Sequence, residues 1–182
     1  STSRRQRQMC IRDRYITALE EFVTRIPDNL DSEHALPLFC PGITAYKAVK
    51  VSEAAAGKTI GIFGIGGVGD LAIQIAKMQD ARVVASSRAK DHIDLSRKLG
   101  ADNVFVYEES QEHFLKNLKR QEGLLDSAIV FAPSDKVIET AIRSVKKGGI
   151  VVLGVRGSVP NFPTFEEKII KKRGNLFFFI LL

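Results

Sequence analysis

The sequence has two cysteines, Cys10 and Cys40, in 182 residues. That is too few for a disulfide framework and in keeping with a reducing compartment. No apolar run approaches the roughly 20 residues that span a bilayer, and the basic N-terminus is not followed by the apolar segment of a signal peptide. These absences exclude a disulfide-stapled secreted module and a helical membrane protein, and the expected setting is cytoplasmic. The glycine-rich run at 64–69 lacks a Gly-Lys-Ser/Thr ending, which argues against a nucleoside-triphosphate loop. The formal charge of +6 raises nucleic acid as a partner, but residues 1–14 hold five arginines against Asp13, a net of +4, leaving +2 for the rest. That segment has no interleaved aromatics and no binding module behind it, so no nucleic-acid partner is expected. Its string Gln8-Met-Cys-Ile-Arg-Asp-Arg14 reads as translated sequencing-adapter sequence, and the chain opens on Ser1 rather than methionine. Residues 1–14 are therefore expected to be non-native sequence or a disordered tail, without function.

What is present is regular alternation. Residues 15–26 suit either a strand or a short helix. Pro27-Asp-Asn29 makes a turn, and Asp31 or Ser32 caps a short helix toward Leu38 that Pro37 limits. Pro41 and Gly42 break the chain, and Thr44–Val51 reads as a helix with Ala45, Ala48 and Val49 inward. Strands are expected at 58–63, 82–86, 103–107, 126–131 and 150–155. Helices are expected after the glycine run and at 90–99, 111–121 and 135–145, with Gly100 ending the second. Short apolar strands between amphipathic helices predict a doubly wound parallel α/β sheet covered on both faces, with right-handed crossovers. The apolar run Leu176–Leu182 fits a last strand, and left unpaired it predicts self-association.

The run Gly64-Ile-Gly66-Gly67-Val68-Gly69 lies between a buried strand and a helix whose apolar residues Val68, Leu71, Ala72, Ile75 and Ala76 repeat at helical spacing. In that context it reads as a dinucleotide-binding turn. Gly64 permits the tight turn, Gly66 lets the main chain approach a pyrophosphate, and Gly69 allows close packing of helix on strand. The N–H groups around Gly67 and Val68 favour the anion. About 20 residues after such a run, a carboxylate would hold the ribose of NAD. This chain reads Ser86-Ser87-Arg88-Ala89-Lys90 there. Ser87 in place of the acid removes repulsion against a 2′-phosphate, Arg88 presents a planar fork and Lys90 a point charge. NADP(H) is favoured and NAD(H) is the alternative, with Asp91 the residue that keeps it open.

On its own, Cys40 reads as a small buried hydrophobe. The stretch Leu36-Pro-Leu-Phe-Cys40-Pro-Gly-Ile-Thr44-Ala-Tyr46-Lys-Ala, the Gly64 loop, Leu99-Gly-Ala-Asp102 and Val152-Leu153-Gly154-Val155 together change that reading. The combination resembles the zinc-type alcohol dehydrogenases of the medium-chain dehydrogenase/reductase superfamily, over residues 15–182. The resemblance implies a Rossmann fold and hydride transfer between an alcohol or carbonyl substrate and a nicotinamide coenzyme in the parent enzyme. It places Thr44 near the nicotinamide or its phosphates, the Leu153 main chain at the carboxamide, Val155 in the same strand, and Cys40 as third protein ligand of a catalytic zinc. The family's other zinc ligands and its proton relay lie upstream of this sequence. His34 does not match a ligand position, and His92 and His113 fall on surface helices. No catalytic zinc is therefore expected in the chain as it stands. Residues 15–40 are implied to be a remnant of the catalytic domain and linker, and 41–182 the dinucleotide-binding domain. Phe178 departs from the small residue common at its position. The chain by itself is expected to bind coenzyme without turnover, the rival reading being a protein-interaction domain.

Overall fold

The computed structural model describes residues 17–107 and 110–154. The chain divides into two compact units, one ending at Leu36 and one starting at Pro37. In the first, the described residues 17–26 of the segment expected as strand or helix hold a 3-10 turn at Glu20–Phe22 and no longer element. Leu19 and Val23 beside it are exposed, so no packed face sustains a longer element. The helix α1 (Ser32–Ala35) follows, capped by Asp31, whose carboxylate accepts the His34 N–H at 2.9 Å.

In the second unit, helix α2 (Cys40–Val51) begins earlier than Thr44. Pro41 falls in its first turn, where no N–H is needed. Gly42 faces the Pro37 carbonyl oxygen, which an added Cβ would meet at 3.0 Å. Ala45, Ala48 and Val49 are buried as their spacing predicts. The chain then alternates: β1 (Thr59–Phe63), α3 (Gly67–Lys77), β2 (Arg82–Ser87), α4 (Lys90–Lys98), β3 (Asn103–Val106), α5 (Gln111–Glu122), β4 (Leu125–Val130), α6 (Asp135–Ser144) and β5 (Val145–Leu153). The five strands are parallel in the order β3-β2-β1-β4-β5, a doubly wound Rossmann-like sheet. Gly100, at φ +100°, ends α4 as expected.

Strand alternation distributes the core over two faces. Ile60, Ile62, Val83 and Ala85 pack with Ala45, Ala48, Val49, Ala72, Ile73 and Ala76 of α2 and α3. Phe63, Val84 and Phe105 point the other way, onto Phe114, Leu115 and Leu118 of α5 and Val137, Ile138 and Ala141 of α6. Strand β5 starts five residues before the expected Ile150. Leu125 faces Val145 but Ser127 faces Ile150, so the intervening residues bulge, with Gly148 at φ +76°. The bulge carries Lys146 to the Asp126 carboxylate, whose other oxygen accepts the Thr59 N–H at 2.8 Å. Burial pushes that carboxyl up, but these two hydrogen bonds together with the charges of Lys146 and Lys58 outweigh it and hold it below the usual range. Asp102 is held down similarly against its burial, accepting from Lys77 Nζ at 2.9 Å and the Val83 N–H at 2.7 Å. Among the described residues no helix is long and apolar enough to cross a membrane.

Candidate functional site

In a parallel sheet all strands end at one edge, and the order here reverses between β1 and β4. A crevice opens where the chain leaves in opposite directions from neighbouring strands. The structure has a cavity of about 1010 Å³ at that place, lined by Gly64–Gly69 after β1, by Ser86–Ala89 at the end of β2, and by Tyr107 after β3. His92 of α4, Phe131–Ser134 after β4, and Lys136 and Val137 of α6 complete it. The loops are tied across the edge: the Gly64 N–H donates to the Ser86 carbonyl at 3.0 Å and the Phe131 N–H to the Phe63 carbonyl at 2.8 Å.

The glycines divide into two kinds. Gly64 sits at φ +96°, and a Cβ there would lie 2.6 Å from the Ala132 nitrogen. A Cβ on Gly69 would lie 2.5 Å from the Gly64 carbonyl oxygen. Both are demanded by the fold. Gly66 has extended backbone, φ −172°, and a Cβ on it or on Gly67 would meet nothing within 4 Å. Neither the backbone nor the packing requires glycine there, yet both residues face the cavity. Gly66 is the N-cap of α3 and Gly67 and Val68 its first residues, so N–H groups without helical carbonyl partners lie beside the open space.

Polar groups left over by the fold gather at the same edge. Ser86 is 4% exposed, and its Oγ has no hydrogen-bond partner. Ser87 is also buried, its Oγ accepting the Ala89 N–H at 3.3 Å as the chain turns into α4. Asp70, in the first turn of α3, has one carboxyl oxygen buried without a partner. Burial pushes this carboxyl above its ordinary value, with the nearby His92 opposing that shift. The Tyr107 hydroxyl is within 3.1 Å of Thr140 Oγ1, and its ring lies 5.3 Å from that of Phe114. That wall of the cavity is therefore fixed.

The sequence-predicted residues Gly64, Gly66, Gly67, Val68, Gly69, Ser86, Ser87 and Arg88 all line this cavity. Lys90, the first residue of α4, is exposed and is not among its lining. Thr44 is half-buried on α2, and Leu153 is buried at the end of β5, on the same sheet edge as the cavity but not in its wall. Val155 and the run Leu176–Leu182 lie outside the described residues. Cys40 is exposed at the start of α2, not buried as a lone cysteine in an apolar stretch would be. Among the described residues no three His, Cys, Asp or Glu side chains group to hold a metal ion. Those residues therefore do not fit a zinc site around Cys40. Sequence reasoning passed over Tyr107, His92 and the segment 131–137. The last was signalled by its place after the strand on the far side of the topological switch.

A family model described as zinc-binding dehydrogenase matches residues 67–181. An alcohol dehydrogenase of Geobacillus stearothermophilus is 38% identical over 139 residues, covering 76% of this chain and 41% of that protein. The structure of mycobacterial Rv1454c complexed with NADPH superposes with a TM-score of 0.75 at 24% identity, over 87% of this chain and 48% of that one. The alcohol dehydrogenase of the archaeon Aeropyrum pernix gives 0.69 at 27% identity, over 85% and 45%. The chain spans less than half the length of each of these proteins.

Proposed function

The chain belongs to the zinc-binding dehydrogenase family, and from that membership we propose that it is the coenzyme-holding part of an alcohol dehydrogenase, binding NADP(H) in preference to NAD(H). The observation that carries this is the pair Gly66 and Gly67. The fold has no use for glycine at either position, and an added Cβ would enter the cavity at the start of α3. A pyrophosphate seated on those N–H groups needs that space.

In this reading Gly66, Gly67 and Val68 hold the pyrophosphate, and the Ser86 hydroxyl finds its missing partner in the ligand. Ser87 leaves no carboxylate to repel a 2′-phosphate, and Arg88 grips it, with Lys90 adding charge from outside the wall. Thr44, Leu153 and Val155 serve the nicotinamide end. The bound coenzyme supplies a hydride acceptor or donor for an alcohol or carbonyl substrate. The chain's own residues bind and orient it. The described residues do not fit a zinc site, and none of these roles depends on one. Residues 15–40 are read as linker and catalytic-domain remnant, and 41–182 as the dinucleotide-binding domain.

Direct titration of the 182-residue chain with NADPH and NADH tests the reading, together with zinc analysis and an alcohol turnover assay. The expected result is saturable binding of both coenzymes, tighter for NADPH, without stoichiometric zinc or turnover. Failure to bind either coenzyme overturns the reading. Tighter binding of NADH overturns the part resting on Ser87, Arg88 and Lys90, and zinc-dependent NADPH formation overturns the binding-only part.

A further inference from the structure

Among the described residues the cavity wall includes three basic ones, Arg88, His92 and Lys136, and no Asp or Glu. His92 is not one of the basic residues the spacing after β2 suggests. Lys90 and His92 are two residues apart on α4, about 200° around the helix, so when one faces the crevice the other faces away. The structure places His92 in the cavity wall with Arg88 and the glycine loop. Lys136 comes from the opposite wall, on α6. Resting on the coenzyme reading above, we infer that His92 is a specificity-determining residue whose protonation strengthens the hold on the 2′-phosphate, so that the preference for NADP(H) over NAD(H) rises as pH falls.

The surroundings of His92 decide whether its charge is available. From α3 the group within electrostatic reach is Asp70. Lys77, at the other end of α3, is paired with Asp102. In β2 the charged residue is Arg82, at the opposite edge of the sheet and engaged by Glu122. Strand β3 contributes no charged side chain, and the Tyr107 hydroxyl after it is with Thr140. On its own helix Asp94 pairs with Arg97, and Asp91 is exposed in the first turn. The only anion near His92 on the α3 side is thus a carboxyl that burial already favours in its neutral form. Histidine changes charge between about pH 5 and 8, and a protonated imidazole beside Arg88 gives a 2′-phosphate a second cationic donor. NAD(H) has no phosphate at that position to respond.

The test measures Kd for NADPH and NADH by titration of the full chain at pH 6 and pH 8.5, for wild type, His92→Gln and His92→Lys. The 2′-phosphate takes up a proton of its own in this range, but that uptake is common to all three proteins, so comparison between them isolates His92. At pH 6 the wild-type NADPH-over-NADH preference is expected to exceed that of His92→Gln by about five-fold, as for a partly exposed ion pair, and to equal it at pH 8.5. His92→Lys keeps the larger preference at both pH values, and its comparison with wild type at pH 8.5 decides the matter if His92→Gln does not fold. Binding of both coenzymes with preferences that differ equally, or not at all, at the two pH values overturns the inference and leaves the coenzyme reading standing. Binding of neither overturns both.

Discussion

Substituting alanine at Gly66 and at Gly69 separates what the glycine run does for the fold from what it does for a ligand. At Gly69 the new Cβ lies 2.5 Å from the Gly64 carbonyl oxygen, well inside van der Waals contact. Both sides of the clash are backbone. Gly64 cannot retreat, because its own Cα faces Ala132 and its N–H is bound to the Ser86 carbonyl. Overpacking of this kind costs about 1–3 kcal/mol, against which alanine's better helix propensity returns at most about 1 kcal/mol. A net loss of about 2 kcal/mol lowers Tm by about 4–8 °C in a chain of this size. At Gly66 the Cβ meets nothing and the backbone is unstrained. The stability cost is then the N-cap preference for glycine over alanine, about 0.5 kcal/mol. If the proposed coenzyme site holds, the methyl group instead takes the space of the pyrophosphate and breaks charge-assisted hydrogen bonds worth about 1.5–3 kcal/mol, an expected loss of about 10- to 100-fold in coenzyme affinity. Thermal unfolding followed by circular dichroism and titration with NADPH give the two readouts. Equal destabilisation by both substitutions, or unchanged affinity in Gly66→Ala, would refute the assignment of Gly66 to a ligand.

Arg88→Gln is expected to weaken NADPH binding by about ten-fold, the worth of one partly screened charge-assisted hydrogen bond, and NADH binding by less than about two-fold; equal losses would place Arg88 outside the 2′-phosphate contact. Asp102→Asn and Asp126→Asn are each expected to lower stability at pH 7 by about 1–2 kcal/mol, since each carboxylate accepts from one backbone N–H and one lysine. Their folded-state carboxyls sit below the ordinary value, so their contribution is present above about pH 4 and lost as pH falls through the depressed value. The difference in Tm between wild type and either variant should therefore shrink on acidification below about pH 4, and a gap that stays constant down to pH 2 would count against the ion pairs as its source.

Residues whose roles are local were legible from the sequence, and those whose roles depend on rotation or register were not. The strand–glycine–helix order around Gly64 follows from periodicity and turn chemistry within a dozen residues, and so do the buried stripes at Ala45, Ala48 and Val49 and at Phe114, Leu115 and Leu118. The start of α2 was misplaced because Pro41 and Gly42 read as breakers, whereas proline is tolerated in a first turn and Gly42 relieves contact with Pro37. The early start of β5 rests on a bulge held by Lys146 and Asp126, a pairing across 20 residues that no local pattern announces. At the cavity, spacing after β2 singles out Lys90, and only the phase of α4 shows that His92 is the residue turned toward the wall.

The two edges of the sheet treat their polar groups oppositely, and that contrast locates the site more sharply than any single motif. At the edge where the strands begin, Asp102, Glu122 and Asp126 each have a cationic partner, and Asp102 and Asp126 also accept a backbone N–H. At the edge where they end, Ser86 Oγ and an Asp70 carboxyl oxygen are buried without partners. The side chains of Arg88 and Lys136 make no ion pair among the described residues. Ser127, inside β4 and away from the cavity, is the one exception of this kind among the described side chains. Leaving a buried polar atom unpaired costs about 1–3 kcal/mol, so a fold that satisfies one edge and leaves the other open is poised to recover that energy from something outside the chain. An anionic ligand bearing several phosphate oxygens, seated on glycines that the fold does not itself require, would accept from the Ser86 hydroxyl and from the open N–H groups at the start of α3 together.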